Sequence, residues 1–123
     1  MPQVYMILAP GVKNDLGIGL IREMGTALIK LVEQMLGIEG KEDVAFTAVE
    51  AIVTKNEAPI QIEIRYTAGK DEYGRGKPFD PSEGRQKFLA KHIVEAIKTL
   101  ISGKFKCSVW FKPYHKSVFE TEM

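Results

Sequence analysis

With 123 residues, 45% of them hydrophobic and 27% charged, the chain has the size and balance of one folded domain that buries roughly two thirds of its unfolded surface. Lysine and arginine total 17 against 16 acidic residues, a net charge of +1, so no general field draws the protein to nucleic acid or to an anionic membrane, and any anion site must be local. The single cysteine, Cys107, excludes an intrachain disulfide and a cysteine-rich metal site, no apolar run has the length of a bilayer span, and no basic leader precedes a long apolar core, so the expected location is the cytoplasm.

Pro2 stands directly behind the initiator at the head of an apolar stretch, residues 3–9 (QVYMILA), which Pro10 and Gly11 close as a first strand. A proline at a strand start costs little, because its missing N–H is not needed there. A helix capped by Asn14 or Asp15 is expected next. Leu20, Met24, Leu28, Leu31 and Met35 mark its apolar face, and Gly37 and Gly40 close it. Ile21, Val32 and Leu36 widen that stripe, which implies contact with more than the domain's own sheet. From Val44 to Val53 the β-branched run VAFTAVEAIV reads as a central strand. The third strand, PIQIEIRYT, alternates: Ile60, Ile62, Ile64 and Tyr66 face one side, Gln61, Glu63 and Arg65 the other.

A polar loop, AGKDEYGRGKPF, runs to Asp80, Pro81, Ser82 and Glu83, which supply an N-cap, a proline at the first helical position and a glutamate at the third. Phe88, Leu89, Ile93, Ala96, Ile97 and Leu100 are expected on the apolar face of this second helix, with Gly103 at its end and a fourth strand, FKCSVWF, after it. The order is βαβ twice, an α+β fold with a four-stranded sheet and both helices on one face. The opposite face, with Gln61, Glu63 and Arg65, then calls for another subunit, so a homo-oligomer is expected.

No phosphate-binding or metal signature is present, and His92 and His115 have no partner at metal-ligand spacing, so neither a cofactor nor a metal is expected. Cys107 shares its parity with Phe105, Val109 and Phe111 and reads as a small buried hydrophobe. Arg65 either pairs with Glu63 or its equivalents in an oligomer core, which is the expectation, or reaches a pocket. Lys70, Arg75 and Lys77, with Arg85 beyond them, are either part of a solvated loop offset by Asp71, Glu72 and Asp80, or a grip for a small carboxylate.

The opening PQVYMILAPG, then LIREMGTALIKLVEQMLGI and a strand, resembles the 4-oxalocrotonate tautomerase unit. The later stretches IEIRYTAG, EGRQKFLAKHIVEAIKTLI and VWFKPYHKSVF are similar to 5-carboxymethyl-2-hydroxymuconate isomerase and macrophage migration inhibitory factor. The chain thus resembles the tautomerase superfamily over nearly its whole length. The resemblance implies one tautomerase-like domain over residues 1–123, a trimer, and an amino-terminal proline, here Pro2, acting as a general base on a small enol or unsaturated carboxylic acid. It also implies cations around the substrate carboxylate. Two positions depart from the pattern: Val12 and Ala45 stand where arginines are expected. Lys13, Lys70, Arg75 or Lys77 are the candidate substitutes, and Tyr114 a candidate pocket wall. Two alternatives stay open: a non-catalytic trimeric binding or assembly protein of the same fold, and a ferredoxin-like regulatory or RNA-binding module, marked by exposed aromatics on a basic sheet face.

Overall fold

A computed structural model describes residues 2–37, 40, 43–53, 55, 57–67 and 82–114. In chain order these form β1 (Gln3–Leu8), α1 (Val12–Leu16), α2 (Ile18–Leu36), β2 (Ala45–Glu50), β3 (Ile60–Thr67), α3 (Glu83–Leu100) and β4 (Cys107–Tyr114). The four strands make one sheet in the order β2-β1-β3-β4. β1 runs parallel to β2 and β3 parallel to β4, while β1 and β3 meet antiparallel. Two βαβ units therefore join through their first strands, as the α+β reading expects. Each is led by a proline whose carbonyl accepts a backbone hydrogen bond: Pro2 from Ala45 at 3.1 Å and Pro59 from Ala9 at 2.8 Å.

Strand alternation sets the core. Val4, Met6 and Leu8 of β1 and Ile60, Ile62, Ile64 and Tyr66 of β3 are buried beneath the helices. Against them α2 packs Ile21, Met24, Leu28, Val32 and Leu36, and α3 packs Leu89, Ile93 and Ile97. Each such side chain contributes about 1.5–3 kcal/mol on burial.

The first helix is two helices. Gly17, at φ 83° and ψ 149°, breaks it in a conformation that only glycine adopts readily, and the expected caps Asn14 and Asp15 lie within α1. The run from Val44 to Val53 is an edge strand rather than a central one, paired with β1 alone, and it ends at Glu50 opposite Leu8. Beyond it Ile52 and Val53 are 94% and 70% exposed. At the second helix Ser82 is the cap, its Oγ accepting from the Arg85 N–H at 3.3 Å, and Asp80 and Pro81 lie outside the described residues. Phe88, expected in the core, is 61% exposed. β4 is longer than FKCSVWF and contains Pro113, which an edge strand tolerates.

Gly25 marks a close approach between layers. A Cβ at this position would stand 2.7 Å from both Cδ2 and Cε2 of Phe46 on β2, so the ring would have to move. Gly25→Ala should therefore destabilise the protein by about 1–2 kcal/mol in urea unfolding, the overpacking cost exceeding the gain in helix propensity. Phe46→Leu in the same chain should return part of the loss.

Candidate functional site at the head of the first strand

Pro2 is buried at the entry to β1, a strand held between β2 and β3. One step beyond the Gln3–Arg65 pair, Tyr66 of β3 stands opposite Pro2. Tyr66 is 3% exposed, and Val44, just before β2, is 7% exposed. Apolar burial of this kind favours the neutral form of an amine over its charged form. Chemically, then, this edge can offer a base, provided the nitrogen is freed from Met1.

The same edge of the sheet gathers the start of β2 and the ends of β3 and β4, whose last rung pairs Thr67 with Tyr114. The backbone of Tyr114 thus belongs to the Pro2 edge. Lys70, Arg75 and Lys77 lie outside the described residues; Thr67, which precedes that segment, stands at this edge. Lys13 lies elsewhere. It follows the far end of β1, about 20 Å from Pro2 at the rise of an extended strand. There it lines a cleft of about 260 Å³ with Leu8, Ile21, Arg22 and Glu50. Within one protomer the fold does not bring Lys13 to Pro2. Val12 is 4% exposed and belongs to the core, and Ala45 is half-buried, with its N–H committed to the Pro2 carbonyl.

On the sheet face turned away from the helices, Glu63 is held between two cations. Arg65 donates through Nη2 at 2.9 Å and Nε at 3.3 Å to one carboxylate oxygen, and Lys112 Nζ is 2.8 Å from the other. The Lys112 hydrogen bond, more than Arg65, holds the Glu63 carboxyl below its ordinary range despite the opposing effect of burial. The Arg65 guanidinium also lies 4.0 Å from the centre of the Tyr5 ring. The expected Arg65–Glu63 pair is present, and Lys112 joins it because β4 lies in register beside β3. This face carries an ion-pair network with Tyr5 beneath Arg65, and among the described residues its exposed aromatic, Trp110, is on an edge strand. An RNA-stacking sheet places its aromatics on the middle strands.

Cys107, expected to be buried, is half-buried against the core, and this desolvation raises its thiol to about 11. The native thiol should resist iodoacetamide at pH 7.5 while the urea-unfolded chain reacts readily, a difference that mass spectrometry resolves. Among the described residues no group of three or more His, Cys, Asp or Glu is placed to hold a metal. Nor is any described helix long and apolar enough to cross a membrane.

No protein-family model and no curated protein sequence matches the chain. Solved structures do. The chain is similar to a fused 4-OT solved as an asymmetric trimer, at 11% identity and a TM-score of 0.59, over 94% of this chain and 88% of that one. A 5-carboxymethyl-2-hydroxymuconate delta-isomerase is similar at 15% identity and a TM-score of 0.54, over 95% and 83% of the two chains. A macrophage migration inhibitory factor-like protein from Entamoeba histolytica is similar at 13% identity and a TM-score of 0.56, over 93% and 89%. These neighbours are members of the tautomerase superfamily, and the chain has the fold of that superfamily.

Proposed function

We propose that this protein is a cofactor-independent tautomerase or isomerase that moves a proton on a small enol or unsaturated carboxylic acid, with Pro2 as general base. The observation that carries the reading is the setting of Pro2: buried, at the head of an inner strand, beside Tyr66 and Val44. With Met1 removed, the neutral nitrogen takes the enol hydroxyl proton and returns it to the far carbon of the double bond, so an enol becomes a ketone with no change in composition. Lys70, Arg75 and Lys77, on the segment that follows Thr67, are assigned to the substrate carboxylate, with Tyr114 as a wall. The active form is a homo-oligomer, most simply a trimer. The fold neighbour solved as a trimer, and Trp110, 58% exposed on the sheet face that the helices leave free, support that assembly.

Phenylenolpyruvate tests the reading. Protein whose intact mass lacks Met1 should speed its ketonisation well above the buffer rate, and protein retaining Met1 should not, because an amide nitrogen has no basicity. Equal rates for the two forms would sink Pro2 as the base. The burial of Val12 in the core and the small size of Ala45 favour a second reading, a binding or assembly protein of the same fold that lacks the clamps. Absence of activity in Met1-free protein toward a panel of enol acids would select it.

A further inference from the structure

Sequence spacing assigns Leu31, Met35 and Phe88 to the core, yet none of the three is buried. Leu31 and Met35 are half-buried and Phe88 is 61% exposed. They meet on the solvent side of the helix layer, in a groove of about 280 Å³ between α2 and α3. Two helix faces build it. α2 supplies Leu31, Gln34 and Met35 at spacings of three and four, and α3 supplies Arg85, Phe88, Leu89 and His92 at spacings of three, four and seven. Ile21, Val32 and Leu36, expected to widen the stripe of α2 beyond the sheet, are instead buried in the core, and it is Leu31 and Met35 of the expected core face that line the groove.

Among the described residues that line the groove, the polar groups are the Arg85 guanidinium, the His92 imidazole and the Gln34 amide, with no carboxylate. The Arg85 guanidinium carbon lies 5.4 Å from the centre of the Phe88 ring. Arg85 has no carboxylate partner among the described residues, and the neighbouring Glu83 is shared with Lys87 instead. An apolar trough with an exposed aromatic ring and an uncompensated guanidinium complements an anion with a flat apolar body. Its volume, just below the roughly 300 Å³ at which ligand pockets usually begin, limits that body to about one ring.

We propose that the α2–α3 groove is a binding site for a small aromatic carboxylate, separate from the Pro2 edge. The carboxylate pairs with Arg85 within reach of His92, and the ring lies against Phe88, Met35 and Leu31. The site does not depend on Pro2 or on any catalytic activity.

Titration of the intact protein with phenylacetate, followed by amide NMR, tests this. Shifts should concentrate on Leu31, Gln34 and Met35 of α2 and on Arg85, Phe88 and His92 of α3, and should saturate in the millimolar range. Arg85→Gln should weaken binding about tenfold, the loss of one charge-assisted hydrogen bond, and phenylacetamide should bind correspondingly less well. Phe88→Ala should weaken it too, and both side chains are exposed enough for the variants to stay folded. Equal binding of phenylacetamide, or an unchanged affinity in Arg85→Gln, overturns the site. Shifts gathered instead on Gln3, Ala45 and Arg65 also overturn it, since they place the ligand at the Pro2 edge. So does an oligomer that dissociates on Arg85→Gln in sedimentation, which assigns the groove to a second copy of the chain.

Discussion

In Met1-free protein, Pro2→Ala should lower kcat/KM for phenylenolpyruvate ketonisation by about 10²- to 10⁴-fold, the usual contribution of a positioned general base. The loss should fall short of complete. Alanine at the chain end still carries a primary amine, but it lacks the ring that fixes φ and the nitrogen's direction. Blocking the amine by retaining Met1 should remove the remainder. Two further readouts separate a base from a merely structural residue. Activity should fall as the pH drops and the amine takes up its proton, and Pro2→Ala should cost in urea no more than the packing of its buried ring, because the hydrogen bond at this position uses the residue's carbonyl, not its nitrogen. A variant with full activity would reverse the assignment.

The second large effect concerns stability. Glu63→Gln should cost about 2–3 kcal/mol at pH 7, more than an exposed ion pair is worth and at or below the cost of breaking a fully buried one. The Glu63 side chain is 11% exposed, whereas Arg65 and Lys112 are 31% and 50% exposed and can turn partly to water. Removing Lys112 should accordingly cost less than removing Glu63, which leaves two cations without their shared acceptor. The pH dependence has a definite sign. Because the folded pKa of Glu63 is lowered, its contribution is complete above the ordinary value of 4.5 and is lost as the pH falls through the lowered value. Urea midpoints of the wild type and Glu63→Gln should therefore differ at pH 7 and converge in acid.

What could be read from residues alone was whatever depends on one element at a time. The alternation of β3 predicts both its buried isoleucines and the direction of Arg65, because side-chain period is a local property. Lys112 beside Glu63 and Tyr66 opposite Pro2 depend on which strands neighbour which and in what register, and no single stretch of sequence carries that. The composition of residues 44–53 resembles an inner strand for the same reason: a β-branched run shows that a segment is extended, not that it has neighbours on both sides. Helical spacing marks the direction of an apolar face but not its width. Hence Ile93 and Ile97 are buried as expected, and Phe88 lies outside. At the candidate site, Pro2 was legible from its place in the chain, and its surroundings only from the fold.

The two βαβ units form a doubled architecture in which Pro2 leads one inner strand and Pro59 leads the other, at opposite ends of the sheet. Their nitrogens are not chemically equivalent. Pro59 is joined to Ala58, so its nitrogen is a tertiary amide without basicity. Under the proposed function only the Pro2 scaffold of the two could therefore carry an amine, and proline-centred chemistry would run at one site per protomer.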